Sequence, residues 1–532
     1  MLGSTNNRQL ATSATLEGKL RSLPLSWRLQ GTIKKVGNAR TPDYYLENTG
    51  FEERNFSGAL GYKKEKFGGE LFYSQFNTKL GILKGAHIGN LTDLLFAIER
   101  GKPDNADQVD FTYAINRPYQ DVQHQLLKAK GYLLTGEVGK LEFVYGLQRN
   151  LRKEFDAHQS GSNPALELNL ITHTTEAIWE HTPVGNFTGS VGISTIYQNN
   201  TYKYNDFLPY FTGITAGAFA IEKWRKDKLQ LEAGLRYDYK HLLVKRLIGN
   251  RDLNKPEFNF NNVSGTLGAL YDVGYHLTFG LSGTSAWRAP GANELFSDGV
   301  HHSAASYEKG NPNLRSEQAY NFEASVDYYG NARLNGKLSL YHNFIDNYIY
   351  LAPLPEPVLT IRGAFPAFQY KQTNSVFKGV DLSLSYNLLP NLTLDSKTSI
   401  VRAHNTSTDD FLINIPPDRF DNSIRYEFGS GNSSFFKDTY LSVGGVYVAK
   451  QTRTPSKTDE DFAPAPDAYF LLHAEAGTEI QIGRQSLELG ITGNNLLNTN
   501  YRDYLNRFRY FSHEMGQLIM FRVKVPLNFN NH

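Results

Sequence analysis

The chain has 532 residues, a net charge of +2, no cysteine and a mean hydropathy of −0.45. The missing cysteine excludes a disulfide scaffold and zinc–thiolate sites, and the near-zero charge gives no reason to expect nucleic-acid binding. No apolar run reaches the ~18 residues that a membrane-spanning helix needs, and no secretory signal is visible at the N-terminus.

Alternation of apolar and polar residues predicts β-strands along the whole chain. The alternation is clearest at 229–237, 380–387 and 519–529, whereas only 91–100 has a helical period. Many strands have ten or more residues, more than the ~5–6 of soluble strands and enough to cross a bilayer. We expect about 21 strands, with approximate centres at 17, 30, 59, 72, 130, 144, 173, 192, 216, 233, 267, 281, 324, 341, 378, 397, 423, 442, 475, 491 and 522.

The connections alternate between short turns and long polar loops. Turns such as 63–66, 135–139 and 272–276 alternate with long loops near 79–122, 240–261 and 288–317. Outer-membrane barrels have this pattern, with short periplasmic turns and long extracellular loops.

The fold class that follows is all-β: a transmembrane antiparallel up-and-down β-barrel. Bacterial barrels normally have an even number of strands, so about 21 visible strands indicate 22 with the first one missing. We therefore assign 1–13 to a remnant of the first extracellular loop and 14–532 to the barrel, and we expect the chain to be the barrel part of a longer protein or a gene fragment.

The polar side of the strands predicts what lies inside the barrel. Charged residues such as Glu232, Arg236 and Glu323 alternate with the apolar stripe and would face the lumen. A lumen this wide suits either a folded plug or a water-filled pore. The soluble alternatives are a sandwich or a propeller, but no repeat of ~40–50 residues indicates propeller blades.

One loop contains an unusual series of residues at 287–296, 299–302 and 307–317: Arg288-Ala289-Pro290, Glu294-Leu295, Gly299-Val300-His301 and Tyr307-Glu308-Lys309-Gly310-Asn311. The C-terminal stretch 493–504 adds Gly-Asn-Asn-Leu-Leu-Asn and Tyr-Arg-Asp-Tyr, with Arg509-Tyr510 and an amphipathic last strand beyond it. Together these motifs resemble the TonB-dependent outer-membrane receptor family, and 42–45 with 85–90 look closest to its Bacteroidetes-type members.

The resemblance implies energy-coupled uptake of a scarce nutrient across the outer membrane of a Gram-negative bacterium, and no enzymatic activity. It implies an iron–siderophore or other metal chelate as ligand, a single-chain barrel embedded in lipid, and TonB–ExbB–ExbD as partner. The sequence departs from the family in lacking the plug domain and the TonB box, so coupling requires a plug that this chain does not contain. No cofactor or resident metal is expected. The family's terminal aromatic, which directs membrane assembly, corresponds to Phe529, although three residues follow it.

The candidate ligand-binding residues lie in the long loops. They are Arg288, Glu294, His301, His302, Tyr307, Glu308, His87, Arg509 and Tyr510. Arg and Tyr could bind an anionic siderophore through charge-assisted hydrogen bonds and stacking, and His301, His302 and Glu308 could contact a metal chelate.

A structural role is the alternative for most of these residues, and a solvated side chain is the alternative for His87. The group around Arg288 could order its loop or contact a plug, and the aromatic residues could belong to a membrane girdle. Zinc needs three or four ligands, which two adjacent histidines cannot supply. We expect the run Asp459-Glu460-Asp461 to be solvated. The rival functions are a passive outer-membrane pore and a soluble all-β surface protein that binds glycans.

Overall fold

The computed structural model describes residues 1–20, 22–157, 161–248, 252–330, 333–429, 435–483 and 485–527. Within them, 22 antiparallel strands form one closed ring in which each strand pairs with its neighbours in sequence. The predicted fold class is therefore confirmed. The strands are β1 (Leu2–Ser4), β2 (Leu10–Lys19), β3 (Leu25–Val36), β4 (Phe51–Lys63), β5 (Phe67–Gly81), β6 (Tyr119–Leu134), β7 (Gly139–Phe155), β8 (Leu166–His181), β9 (Phe187–Lys203), β10 (Tyr210–Lys226), β11 (Leu229–Ile248), β12 (Glu257–Gly274), β13 (Leu277–Arg288), β14 (Glu317–Gly330), β15 (Leu334–Pro353), β16 (Ala367–Leu389), β17 (Leu392–Asn405), β18 (Arg419–Glu427), β19 (Phe436–Val448), β20 (Tyr469–Ile482), β21 (Gln485–Asn494) and β22 (Leu518–Lys524).

The ring closes through β1, in a segment that we expected to be a loop remnant. Leu2 pairs with Ala11 of β2 on one side and with Arg522 of β22 on the other. The expectation that the first of 22 strands is missing and the assignment of residues 2–4 and 10–13 to a loop were therefore both wrong. These residues form strands because closing the ring pairs backbone groups that an open edge would leave exposed to lipid. The sequence did not show β1 because a strand of three residues is too short for visible alternation.

The register confirms that one face of the wall is apolar and the other polar. Going round the ring, one row of directly paired residues is entirely apolar: Leu231, Ala269, Leu281, Ala324, Leu340, Val380 and Ile400. The adjacent row has no aliphatic side chain and includes Glu232 and Glu323, which were predicted for the lumen; its members are Glu232, Gly268, Ser282, Glu323 and Tyr341. Lys223 pairs with Glu232 at 3.0 Å between Nζ and Oε2 within this polar row.

The strands extend further than the alternation indicates. We expected a loop from residue 240, but β11 has 20 residues and ends at Ile248, and β16 has 23 residues. Near the end of β11, Tyr239 and His241 both hydrogen-bond Asn259 of β12, at 2.6 and 2.9 Å. Beyond the membrane both faces of a strand meet water, so polar side chains can occupy both. The sequence of this part of the strand therefore shows no apolar stripe.

Helices are few and lie in the connections. Helix α1 (Leu91–Arg100) matches the predicted helical segment: Asn90 caps it by accepting a hydrogen bond from the Asp93 backbone at 2.9 Å, and Gly101 ends it at φ 65°. Helix α2 (Ala292–Phe296) has five residues. No helix in the described part of the chain is long and apolar enough to cross a membrane. Single 3₁₀ turns occupy Lys84–Ala86, Ala106–Gln108, Gly136–Val138, His302–Ala304 and Arg507–Tyr510.

The loop lid as candidate functional site

Six long loops at one end of the barrel pack together into a lid. We define the lid as residues 37–50, 82–118, 289–316, 354–366, 449–468 and 495–517. Ten strands, β6 to β15, separate the loop 82–118 from the loop 354–366 on the ring of 22. Even so, the Ala364 backbone N–H donates to the Ile88 carbonyl at 2.7 Å. Loops so far apart can meet only across the mouth of the barrel, so the lid covers the opening.

The lid has its own apolar core. Its buried members come from five of the six loops and from the start of β16, and partly buried Phe462 adds the sixth loop; the buried members are Tyr44, Leu46, Leu83, Ala86, Leu94, Ala97, Ala106, Ala305, Ala364, Phe368, Tyr510 and Phe511. Leu94 is fully buried on the inner face of α1, whereas its neighbour Leu95 is 56% exposed. A core shared among loops makes the lid one packed unit rather than separate flexible connections.

Arg288, Glu294 and Glu317 form one network at the base of the loop 289–316. Arg288 Nε donates to Glu317 Oε2 at 2.6 Å, and Nη1 donates to both Glu294 carboxylate oxygens at 2.7 and 2.8 Å. Glu294 Oε2 also accepts from the Gly291 backbone at 2.7 Å, which caps α2. Arg288 therefore clamps both ends of the loop, as the structural alternative predicted.

His301 and Glu308 connect two loops of the lid. His301 Nδ1 lies 3.0 Å from Glu308 Oε1, which also accepts from Arg507 Nη1 at 2.8 Å. The Arg507 guanidinium lies 5.5 Å from the centre of the Phe368 ring. Burial alone would raise the pKa of Glu308, but hydrogen bonds and charges from His301 and Arg507 outweigh it and lower this pKa to about 2. Glu308 is therefore a fixed anion that ties 289–316 to 495–517.

His302 points into the lid and is fully buried. Its ring stacks on that of His87 at 5.8 Å between centroids and 7° between planes. Phe365 meets both imidazoles edge-on, at 5.9 Å from His87 and 6.4 Å from His302. The two predicted histidines are thus brought together, although they come from different loops.

The remaining candidates also make contacts inside the lid. The Tyr307 hydroxyl donates to Asp298 Oδ1 at 2.6 Å, and burial together with this carboxylate raises the pKa of Tyr307. Arg509 and Tyr510 are both buried and both bind Asp461. The expectation that Asp461 is solvated was therefore wrong, because the ion pair and a phenol hydrogen bond hold it in the lid.

A cleft of about 750 Å³ opens beside α1. His87 is the only predicted site residue that lines it among those the structure describes. The polar and charged lining residues include Asp93, Glu99, Arg100 and Asp104, with Arg100 Nη1 bound to Asp104 Oδ1 at 2.8 Å. The cleft volume falls in the range of small-ligand sites, roughly 300–1,000 Å³.

Sequence reasoning missed two further groups, one in the lid and one on the barrel strand beside it. Arg362 bonds His302, and Glu154 is fully buried beside Arg152 at the end of β7; neither belongs to a motif, and neither shows a signal in the sequence. In the described ranges, no cluster of three or more His, Asp or Glu could hold a metal ion. Phe529, the predicted assembly signal, lies outside the described residues.

A closed barrel with an apolar outer face, a polar inner face and long loops over one end defines a transmembrane barrel of the outer-membrane type. The family model described as "TonB dependent receptor-like, beta-barrel" matches residues 4–496. The chain therefore belongs to the TonB-dependent receptor family. Members of this family are receptors and transporters of the outer membrane of Gram-negative bacteria.

Solved structures share the fold. A copper transporter, OprC, superposes with a TM-score of 0.76 at 15% identity, covering 98% of this chain and 79% of OprC. The FrpB iron transporter from Neisseria meningitidis gives 0.73 at 13% identity, over 98% and 80%. The siderophore receptor PirA from Acinetobacter baumannii gives 0.70 at 12%, over 98% and 79%. Comparison with curated protein sequences finds no match.

Proposed function

We propose that this barrel takes up an iron–siderophore or another metal chelate across the outer membrane, with energy coupling. The observation that carries the proposal is a lid with its own core closed over a polar lumen. A lid of this kind suits a transporter that admits one class of solute, whereas a passive pore would have no need of one. The iron, copper and siderophore proteins with the same fold support a metal-containing ligand.

We place first contact with the ligand in the cleft beside α1. It is large enough for a small chelate, and Arg100 and Asn105 line it with hydrogen-bonding side chains. The other predicted residues are engaged in contacts within one loop, as Arg288 is, or between two loops, as Arg509 is. Their proposed role is to shape the lid around the ligand.

Energy coupling would need a plug in the lumen, with TonB–ExbB–ExbD as partner. The luminal wall is a polar seat for such a plug: Lys337, Asp381, Lys397, Arg419 and Asp421 share a groove of about 500 Å³ on the inner face of β15 to β18.

Ligand binding can be measured on the full chain in detergent. Its four Trp residues provide intrinsic fluorescence for titration with four probes: ferric tris-catecholate, ferric tris-hydroxamate, ferric citrate and Cu(II). We expect saturable quenching by one probe class, weakened at least tenfold by Arg100→Ala. Glu17→Ala, at an exposed pair with Arg28 on the wall (side chains 63% exposed), is the control and should leave the affinity unchanged.

Conductance of the chain in planar bilayers distinguishes the passive pore. A closed lid predicts small or no ion flow, because the loops cross the mouth. Large steady conductance together with no saturable binding of any probe would refute uptake and favour the passive pore.

A further inference from the structure

His302 lies where four parts of the molecule meet. It belongs to the loop 289–316, and its ring stacks on His87 of the loop 82–118. Its Nε2 lies 3.4 Å from Arg362 Nη1, on the loop 354–366. Next to it, Ser303 Oγ accepts from Arg152 Nη2 of β7 at 3.0 Å. One buried imidazole therefore joins three of the six lid loops, and its neighbour Ser303 ties them to the barrel wall.

The hydrogen bond to Arg362 fixes the protonation state of the ring. A guanidinium has only donors, so Nε2 must be the acceptor and His302 must be neutral. Arg362 lies at the tip of a hairpin formed by Val358–Thr360 and Gly363–Phe365. Besides this bond, the hairpin reaches the loop 82–118 through the Ala364 N–H bond to Ile88 and the contact of Phe365 with His87.

The charged and titratable groups that face His302 come from four parts of the chain. Glu154, Asp156 and Arg152 lie at the end of β7, and Arg362 lies on the hairpin, with its Nε 3.9 Å from Asp156 Oδ2. His301 precedes His302, and His87 covers its ring. Both carboxylates already have cationic partners, Glu154 in Arg152 and Asp156 in Arg362.

We propose that His302, His87, Arg362 and Phe365 form a proton-sensitive latch that holds the lid closed at neutral pH and releases the hairpin 358–365 in acid. A proton on Nε2 turns the acceptor into a donor, so the bond to Arg362 is lost. It also places a positive charge beside a guanidinium in a buried site. The ring must then turn towards Glu154 or Asp156, which breaks its stack on His87.

Burial lowers the pKa of His302, with the two carboxylates opposing this effect. The unfolded or released ring has a pKa of about 6.5. The latch therefore contributes its full stability above about pH 6.5 and loses it as the pH falls from there through the lower pKa of the closed state.

Spin labels can test the latch on the full chain in lipid nanodiscs. The chain has no cysteine, so Leu95→Cys and Ile361→Cys, which are 56% and 99% exposed, can carry nitroxides on α1 and on the hairpin tip. We expect one narrow distance distribution at pH 7.5 and a longer, broader one at pH 5.0, reversible on returning to pH 7.5. Equal distributions at the two pH values would overturn the latch.

Two variants separate His302 from other titrating groups. His302→Gln keeps an acceptor for Arg362 but cannot gain a charge, so the closed distance should persist at pH 5.0. His404→Gln removes an exposed histidine bound to Asp409 and should leave the pH response intact. A pH response that survives in His302→Gln would refute the latch. If His302→Gln does not give a heat-modifiable barrel on a gel, Arg362→Gln is the substitute and should reduce the response to pH.

Discussion

The barrel wall and the loop lid place their apolar and polar side chains in opposite ways. In the wall, apolar side chains such as Leu267 and Leu281 point outwards, at 68% and 65% exposure, and the polar side chains face the lumen. In the lid, apolar side chains point inwards, and charged residues are buried among them in pairs. The lipid side of the bilayer accounts for the wall, and water on the outside accounts for the lid. The wall therefore has its apolar side chains outside and the lid has them inside. The same type of substitution should have a different effect in each region.

The largest contrast is expected between two ion pairs. In the lid, the side chains of Arg509 and Asp461 are only 2% and 7% exposed. Asp461→Ala leaves a buried cation alone and should cost the lid roughly 3–5 kcal/mol. In the wall, Lys524 and Glu488 are paired at 2.7 Å with 63% and 38% exposure, so Glu488→Ala should cost about 0–1 kcal/mol. Amide exchange in 449–468 would measure the loss in Asp461→Ala, and chemical unfolding would measure the loss in Glu488→Ala. Equal losses of free energy would contradict the difference between lid and wall.

Truncation of the lid core should come next. Leu94→Ala opens a cavity under α1 and should lower the local opening free energy of the lid by about 2–5 kcal/mol. Leu95→Ala, one residue along the same helix and 56% exposed, should change it by less than about 0.5 kcal/mol. Hydrogen exchange of α1 is the measurement. An equal loss in both variants would mean that α1 is not packed on a core.

An introduced charge tests which face of the barrel wall meets lipid. Leu281→Arg puts a guanidinium on the lipid face, and at the bilayer midplane this costs roughly 2–4 kcal/mol. Ser282→Arg puts the same group in the lumen near Glu232 and Glu323 and should be nearly neutral. Unfolding from vesicles in guanidinium gives both free energies, and a larger cost for the luminal variant would reverse the assigned faces.

The smallest effect is expected at the start of α1. Asn90→Ala removes the side-chain acceptor for the Asp93 amide and should cost the helix about 1 kcal/mol. Asn90→Ser keeps an acceptor for this amide without adding a charge beside the Asp93 carboxylate, and it serves as the control. Protease cleavage within 82–118 reports the difference; equal cleavage of the parent and Asn90→Ala would show that packing alone holds the helix.

The wall was largely predictable from the sequence, and the lid was not. Alternation reveals a strand because each residue has a fixed face, and the period of 91–100 reveals α1 because a helix also has one. Loop residues have no period, and their partners lie far away: His513, with a pKa lowered to about 4 by burial and by Arg502, lies 3.3 Å from the Tyr44 hydroxyl, 469 positions away in sequence. The motif around Arg288 did locate one loop of the lid, but nothing local shows that Asp461 pairs with Arg509 rather than with water.

The length of the barrel strands sets the height of the lid above the membrane. The 23 residues of β16, at ~3.3 Å per residue and a tilt of ~45°, rise roughly 54 Å, about twice the ~25 Å apolar band of an outer-membrane barrel. On that side the barrel wall extends well beyond the apolar layer of the membrane. Its mouth stands clear of the lipid head groups, so an antibody or a phage tail fibre would reach the lid before it met the membrane.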